Sequence, residues 1–394
     1  MKRYMLSILP LFLALCLPLA AQQTYRARVV DAATGEPLPY VNVCTAHRKT
    51  ISNAKGYFAI WIDSPREYVQ LTHVGYEKQS VNTASKTSVI KLKPSFHEMK
   101  EVVIFPFNVD DVFNRIVKRL KKDYTRSADI ETMFFMRSML QTEMGNEMQE
   151  CFLAGKSAVN FRESAVISGK LWCETDDMNQ ESMLRHLNTH VLLGLGPYVR
   201  NSPFWATALF PLHKIRHSRG AYEPTLNTQV DDNGNFLYKI DLRHGFFQLK
   251  GYDSLRPDEK PAPVIIGDIY ADEEYRLLRF DGEAHFVMLR SNEKAKRITV
   301  KFQVEYTHER GFTEVSHMHL EGKNEDYTFD TILLNLGDES GEKYPAVLVR
   351  SNLLDAMRFA GYDERMWEQY SIVQRTIPEE QIAKGSEARG QNFD

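Results

Sequence analysis

The chain has 394 residues, 43% of them hydrophobic, with a formal net charge of -3. At roughly 150 residues per domain this length predicts two or three units, with apolar material for a sizeable core. The near balance of Lys and Arg against Asp and Glu excludes the global basic field that draws in phosphate backbones, so nucleic acid is not an expected partner.

The first residues, MKRYMLSILPLFLALCLPLAAQQ, place Lys2 and Arg3 ahead of an apolar run that closes on Ala20 and Ala21. That layout predicts a secretory signal over 1–21, because the run is short for a ~20-residue membrane span and is broken by Pro10 and Pro18. A lipoprotein signal needs a small residue before its Cys, whereas Leu15 precedes Cys16. No later stretch reaches ~18 consecutive apolar residues, so no transmembrane segment is expected in the mature chain, and peripheral membrane association stays open. Loss of Cys16 leaves Cys44, Cys151 and Cys173, too few for a disulfide scaffold.

From Tyr25 to Lys93 the pattern is of short strands. Tyr25, Ala27 and Val29 share a face in YRARVV; Phe58, Ile60 and Ile62 share one in YFAIWI; ATGEPLP and NAKG punctuate them as turns. This alternation without a helical period predicts a small β-sandwich. In VQLTHVGYEKQSV, Gly75 is read as a bend and Tyr76 as a ring laid on the sandwich end with its hydroxyl in water.

RVVDAATGEPLPYVNV, SNAKGYF, HVGYEKQSV and KEVVIF together resemble the carboxypeptidase-like regulatory domain, a seven-stranded transthyretin-like sandwich common in envelope proteins of Gram-negative bacteria. The resemblance implies a domain over 22–104 that carries no catalytic residues. It departs from the family at Lys55, where an acidic residue is often found, which weakens any idea of a bound cation at that turn.

Residues 105–377 are read as a second domain. In NVDDVFNRIVKRLKKDY, Val109, Val112, Phe113, Ile116, Val117 and Leu120 recur at helical spacing, with Asn108 as cap and Asp110 and Asp111 at the positive end. The cations Lys118, Arg119, Lys121 and Lys122 read as a solvated face, with anionic headgroups as the alternative. Strands then dominate. RITVKFQVEYTHE sets Ile298, Val300, Phe302, Val304 and Tyr306 against a wet face of Arg297, Thr299, Lys301, Gln303 and Glu305. NFLYKIDL follows the Asn233-Gly234 turn signal, and PVIIGDIYADEEYRLLRFDG reads as a hairpin turning at 272–274. A helical insert is expected near 181–221 and a disordered polar tail over 378–394. One helix before a long curved antiparallel sheet also resembles the half-barrel of outer-membrane lipoprotein carriers. The fold class is thus mainly β in two domains, a sandwich and then an α+β curved sheet with a covering helix.

Catalytic signatures are sparse. His186 with His190, and His213 with His217, stand four residues apart as zinc ligands on a helix do, yet Leu187 and Lys214 occupy the place of the zincin general base and no third ligand is evident. No metal or other cofactor and no catalytic residue is assigned. A ligand groove is expected between helix and sheet, lined by Phe113, Ile116, Phe236, Tyr238, Val300 and Phe302, with a small lipid or acyl chain as ligand. Cys151 and Cys173 are placed opposite each other in a hairpin turning near Arg162, within reach of a disulfide. The functional expectation is a non-catalytic exported protein that binds or scaffolds in the periplasm, at the outer membrane or on the cell surface, its partner an envelope protein, glycan or lipid. The alternatives are an accessory glycan binder using Trp172, Trp205 and Trp367, and a metal-dependent hydrolase using the His pairs.

Overall fold

The computed structural model describes residues 23–98, 108–127, 130–143, 145–155, 165–173, 222–231, 236–244, 264–288, 296–323, 327–337, 344–348, 353–370 and 372–388. The leader, the insert near 181–221 with its four histidines, Trp205, and residues 389–394 lie outside them.

Seven strands build the N-terminal sandwich: β1 (Gln23–Asp31), β2 (Asn42–Cys44), β3 (Lys49–Ile51), β4 (Tyr57–Ile62), β5 (Tyr68–Thr72), β6 (Gln79–Asn82) and β7 (Val89–Leu92). They form a three-stranded sheet, β4-β1-β7, and a four-stranded sheet, β3-β2-β5-β6. The alternation read from the sequence is the physical cause: Tyr25, Ala27, Val29, Phe58, Ile60 and Ile62 all point into one core with Val43, Val69, Leu71, Ile90 and Leu92. Gly56 closes the β3–β4 turn at φ +78, and a Cβ there would lie 2.5 Å from the Val29 carbonyl oxygen, which reserves the position for glycine.

The large sheet of the second domain also takes in one strand from before residue 105. Phe96–Glu98 (β8) is already an edge strand of the large sheet, paired antiparallel with Tyr222–Asp231 (β12). Helix α1 (Val109–Ser127) starts where Asn108 Oδ1 accepts from the Asp110 amide, with Asp110 and Asp111 in its first turn. Its strands are β9 (Thr132–Thr142), β10 (Gly145–Gly155), β11 (Ala165–Cys173), β13 (Phe236–His244), β14 (Val264–Asp272), β15 (Leu277–Met288), β16 (Lys296–Thr307), β17 (Glu314–Lys323), β18 (Tyr327–Gly337) and the short β19 (Val347–Leu348). Helices α2 (Leu353–Ala360), α3 (Glu364–Gln369) and α4 (Ile377–Ala388) follow. The sheet runs β19-β11-β10-β9-β18-β17-β16-β15-β14-β13-β12-β8. The hairpin expected at 272–274 is present, its turn held by Asp272 Oδ1, which accepts from the Glu274 and Arg276 amides.

Period two assigns the two faces of this sheet. Phe134, Met136, Tyr238, Ile240, Phe280, Val300, Phe302, Val304 and Met318 join the α1 stripe of Val112, Phe113, Ile116, Val117 and Leu120 in one core, closed at its far end by Leu353, Ala356 and Met357 of α2. Burial of each large stripe residue contributes about 1.5–3 kcal/mol. The cations of α1 lie on its outer side, with Lys118, Lys121 and Lys122 exposed. On the opposite face Met133, Phe135, Phe152, Ile332 and Leu334 pack against Tyr40 and Ile51 of the sandwich and Met366, Tyr370 and Val373 of the C-terminal segment.

Two expectations are corrected. The polar tail expected from residue 378 is helical as far as Ala388, because Ile382 and Ala383 bury against Met148 and Trp172. The Cys151–Cys173 bridge fails on register: β10 pairs with β11 so that Cys151 faces Gly169 and Cys173 faces Glu147, four residues from the required alignment. All three cysteines persist as thiols. Thiol titration of denatured, unreduced protein is expected to find Cys44, Cys151 and Cys173 reactive; loss of two of them would restore the bridge.

Candidate functional site

The described residues most unusual in chemistry lie where the sandwich sits on the outer face of β15–β18. Glu305, on β16, was expected on a wet face, yet it is 2% exposed because the sandwich covers it. Alternation tells which side of a sheet a residue takes, not what lies on that side. Lys301 on the same face is exposed, as expected.

The sandwich reaches Glu305 through two elements. Asn42 on β2 donates from Nδ2 to Glu305 Oε2 at 3.2 Å, while its Oδ1 lies 3.0 Å from Ser316 Oγ and 3.2 Å from His317 Nδ1. Adjacent residues of a regular strand point to opposite faces, so Ser316 and His317 reach the same amide through the register shift between β16 and β17 at Glu305/Tyr306. The second element is the turn after β5. Gly75 takes φ +89, the Tyr76 amide donates to the His73 carbonyl, and His73 is delivered with Nε2 3.7 Å from Glu305 Oε1. The Tyr76 hydroxyl, expected in water, instead donates to Asp31 Oδ2 at 2.7 Å, and its ring stands edge-on to His73. This Gly-Tyr step thus ties the sandwich end together and sets the histidine that faces the second domain.

Burial governs the protonation of the group. It raises the Glu305 carboxyl to about 7 against the pull of Arg279. Burial, with Arg279 adding to it, lowers His73 to about 4. His317 falls to about 3 through burial and its neighbours His73, Arg279 and His319. His73 and Glu305 are close enough to be read as an ion pair, but with these values they are never charged together, and we treat the contact as polar rather than ionic.

Around this centre the seam has three further ties. The Tyr40 ring stacks on His319 at 4.3 Å, and His319 Nε2 lies 3.1 Å from Asp330 Oδ2. Lys49 pairs with Glu309 across the domains. The C-terminal segment is wedged alongside: Thr50 Oγ1 donates to Ile372 O and Asn53 Nδ2 to Gln374 O, both at 3.3 Å, while Arg137 Nη2 donates to Val373 O at 2.7 Å.

Of the residues named from sequence, Phe113, Ile116, Tyr238, Val300 and Phe302 meet in one buried core, with Phe302 edge-on to Phe280 at 4.9 Å. Phe236, at the start of β13, is only half-buried. Trp172 is buried with Lys170 and Arg375 over its ring, and Trp367 is half-buried against Phe135 and Phe152. His186, His190, His213 and His217 lie outside the described residues. No group of three or more His, Cys, Asp and Glu among the described residues is arranged to hold a metal ion. Sequence reasoning set Glu305 on a wet face and gave Asn42, His73 and His317 no role; no local pattern marks their meeting, since Asn42 and Glu305 stand 263 positions apart.

Residues 26–104 match the family model of the CarboxypepD_reg-like domain. The sandwich is a carboxypeptidase-regulatory-like domain. The match runs past the last strand of this regulatory-like domain, Val89–Leu92, into the edge strand of the second sheet. Among solved structures, a DUF1329 family protein from Desulfovibrio piger is similar at 10% identity and TM-score 0.22, over 60% of this chain and 95% of that one. A protein of unknown function from Bacteroides fragilis, described as membrane-associated, is similar at 9% identity and TM-score 0.16, over 80% of this chain and 95% of that one. Likeness at that level carries no functional inference. No curated protein sequence matches the chain.

Proposed function

We propose that the chain is an exported, non-catalytic protein of a Gram-negative envelope that binds or scaffolds in the periplasm, at the outer membrane or on the cell surface, with sandwich and sheet acting as one body. The observation that carries this reading is the sealing of Glu305 and His317, 2% and 0% exposed, beneath the regulatory-like domain. A general acid or base must come within hydrogen-bond reach of substrate, and these two are occupied in joining domains. The leader layout supports export, and no helix among the described residues is long and apolar enough to cross a membrane. Burial of Trp172 and the packing of Trp367 against two phenylalanines leave neither as a flat glycan platform.

Fractionation of cells making the chain, followed by in-cell cross-linking, tests the reading. It is expected to recover the protein in the envelope fraction, without residues 1–21 and joined to an envelope component. Recovery in the cytoplasm with Met1 intact contradicts it. So does any hydrolase activity of the purified chain that Glu305→Gln abolishes.

A further inference from the structure

Glu305 stands at the domain seam with two histidine rings turned towards it, and the inventory of protons around it does not close. His73 Nδ1 lies 3.0 Å from the Val74 carbonyl, and His317 Nδ1 lies 3.2 Å from Asn42 Oδ1. Both contacts are to acceptors, so each neutral ring carries its proton on Nδ1 and presents a bare Nε2. Those Nε2 atoms face the carboxylate at 3.7 and 4.0 Å. His317 Nε2 has no hydrogen-bond partner although the residue is fully buried. Two lone pairs and an ionised carboxylate converging out of water would repel, and one proton on Glu305 removes the conflict.

We propose that Glu305 is held as the neutral acid while the domains are docked, and that losing this proton loosens the sandwich from the sheet, so that the seam is a pH-sensitive clamp.

The groups facing Glu305 come from every element packed on it. The sandwich supplies Asn42, His73 and the Val74 amide, which donates to the carboxyl; β16 itself supplies Gln303, whose Nε2 is 3.5 Å from Oε1. From β15 comes Arg279, already bonded to Asp281 at 2.8 Å and set over the Tyr270 ring; from β17 come His317 and, one step away, His319 with its Asp330 partner. Arg279 is the permanent cation of this set, and its engagement with Asp281 leaves it a poor substitute for the proton.

The burial-driven values agree with this geometry: Glu305 near 7, His73 near 4 and His317 near 3 leave all three neutral together between about 4 and about 7. For Glu305, raised from 4.5, the contribution to docking is complete below 4.5 and is lost as pH rises through about 7. For the two histidines, lowered from 6.5, the contribution is complete above 6.5 and is lost as pH falls through about 4 and about 3. The clamp therefore closes best just below neutrality, and the alkaline limb belongs to Glu305 alone.

The experiment compares urea unfolding of the full chain with that of Glu305→Gln from pH 4.5 to 8, alongside infrared spectra of the wild type. Gln keeps the shape and stays neutral at every pH. The ratio of wild-type to variant folding constants is expected to fall by about 150-fold between pH 4.5 and 8, since half of the unfolded chain's Glu305 is already ionised at the lower end for a rise from 4.5 to about 7. A buried carboxylic-acid carbonyl band should persist in wild type to near pH 7. A flat ratio overturns the proposal. So does absence of the acid band at pH 6, which needs no folded variant; a band that emerges only after a chelator is added would show a metal ion in the proton's place and equally overturn it.

Discussion

Glu150→Ala is expected to lower the stability of the folded chain by about 3–5 kcal/mol. The carboxylate is fully buried on the outer face of β10 and accepts from Arg137 Nε on β9 and from both Nε and Nη2 of Arg375, at 3.0 and 2.7 Å for the latter pair. Arg137 is itself 1% exposed and continues to Val373 O and towards Glu379. Removing the one carboxylate that two guanidiniums share leaves the buried Arg137 with only its 3.6 Å contact to Glu379 for a counter-charge, and that penalty exceeds the net strength of the intact network. Burial alone would raise the Glu150 carboxyl, but Arg137 and Arg375 outweigh it and hold it below its ordinary value. Its contribution is therefore present above about 4.5 and is lost as pH falls through the lowered folded value. In urea titrations the gap between wild type and Glu150→Gln should be full near neutrality and close in strong acid. A Glu150→Ala variant within ~1 kcal/mol of wild type would mean that the C-terminal segment is not seated on the sheet.

Gly282→Ala should cost about 3 kcal/mol or more, for a reason that no side-chain rearrangement relieves. Gly267 and Gly282 face each other across β14 and β15. A Cβ on Gly282 would lie 2.1 Å from Ile266 O and 2.5 Å from Gly267 Cα, and one on Gly267 would lie 2.1 Å from Asp281 O. These obstacles are backbone, so the strands must part, next to the Arg279–Asp281 pair that borders the seam. Gly385 in α4 is the control, since nothing lies within 4 Å of its added Cβ. Gly385→Ala should stabilise by up to about 1 kcal/mol through helix propensity. Equal effects of the two substitutions in thermal or urea unfolding would contradict this packing of β14 on β15.

Much of the fold could be read from local pattern because its causes are local. The alternation in YFAIWI and RITVKFQVEYT, the Asn108 cap and the 3.6-residue stripe of α1 each depend on residues close in sequence, and each element appears where its pattern stands. The seam could not be read this way. Asn42 meets Glu305 across 263 positions, and neither residue's neighbours announce the meeting. The same limit explains α4: Ile382 and Ala383 are only two buried apolar positions among its described residues, made sufficient by Met148 and Trp172 far upstream. Cys151 and Cys173 show the sensitivity of register, where moving a hairpin turn by two residues moves the partner by four. Gly75 and Tyr76 lie between these cases, since the bend was legible but the Asp31 partner was not.

The central claim, that the regulatory-like domain is seated on the second domain's sheet as one body, is tested most directly by zero-length carbodiimide coupling of the intact chain at pH 6. Lys49 of β3 and Glu309 beyond β16 form an ion pair across the seam, both side chains partly exposed to reagent. Mass spectrometry of the digested monomer should find the Lys49–Glu309 amide within single chains, and Lys49→Ala should remove it. Absence of that link in wild type, while Arg48 and Lys49 remain intact and other lysine–carboxylate pairs couple, would show that the sandwich does not sit on the sheet.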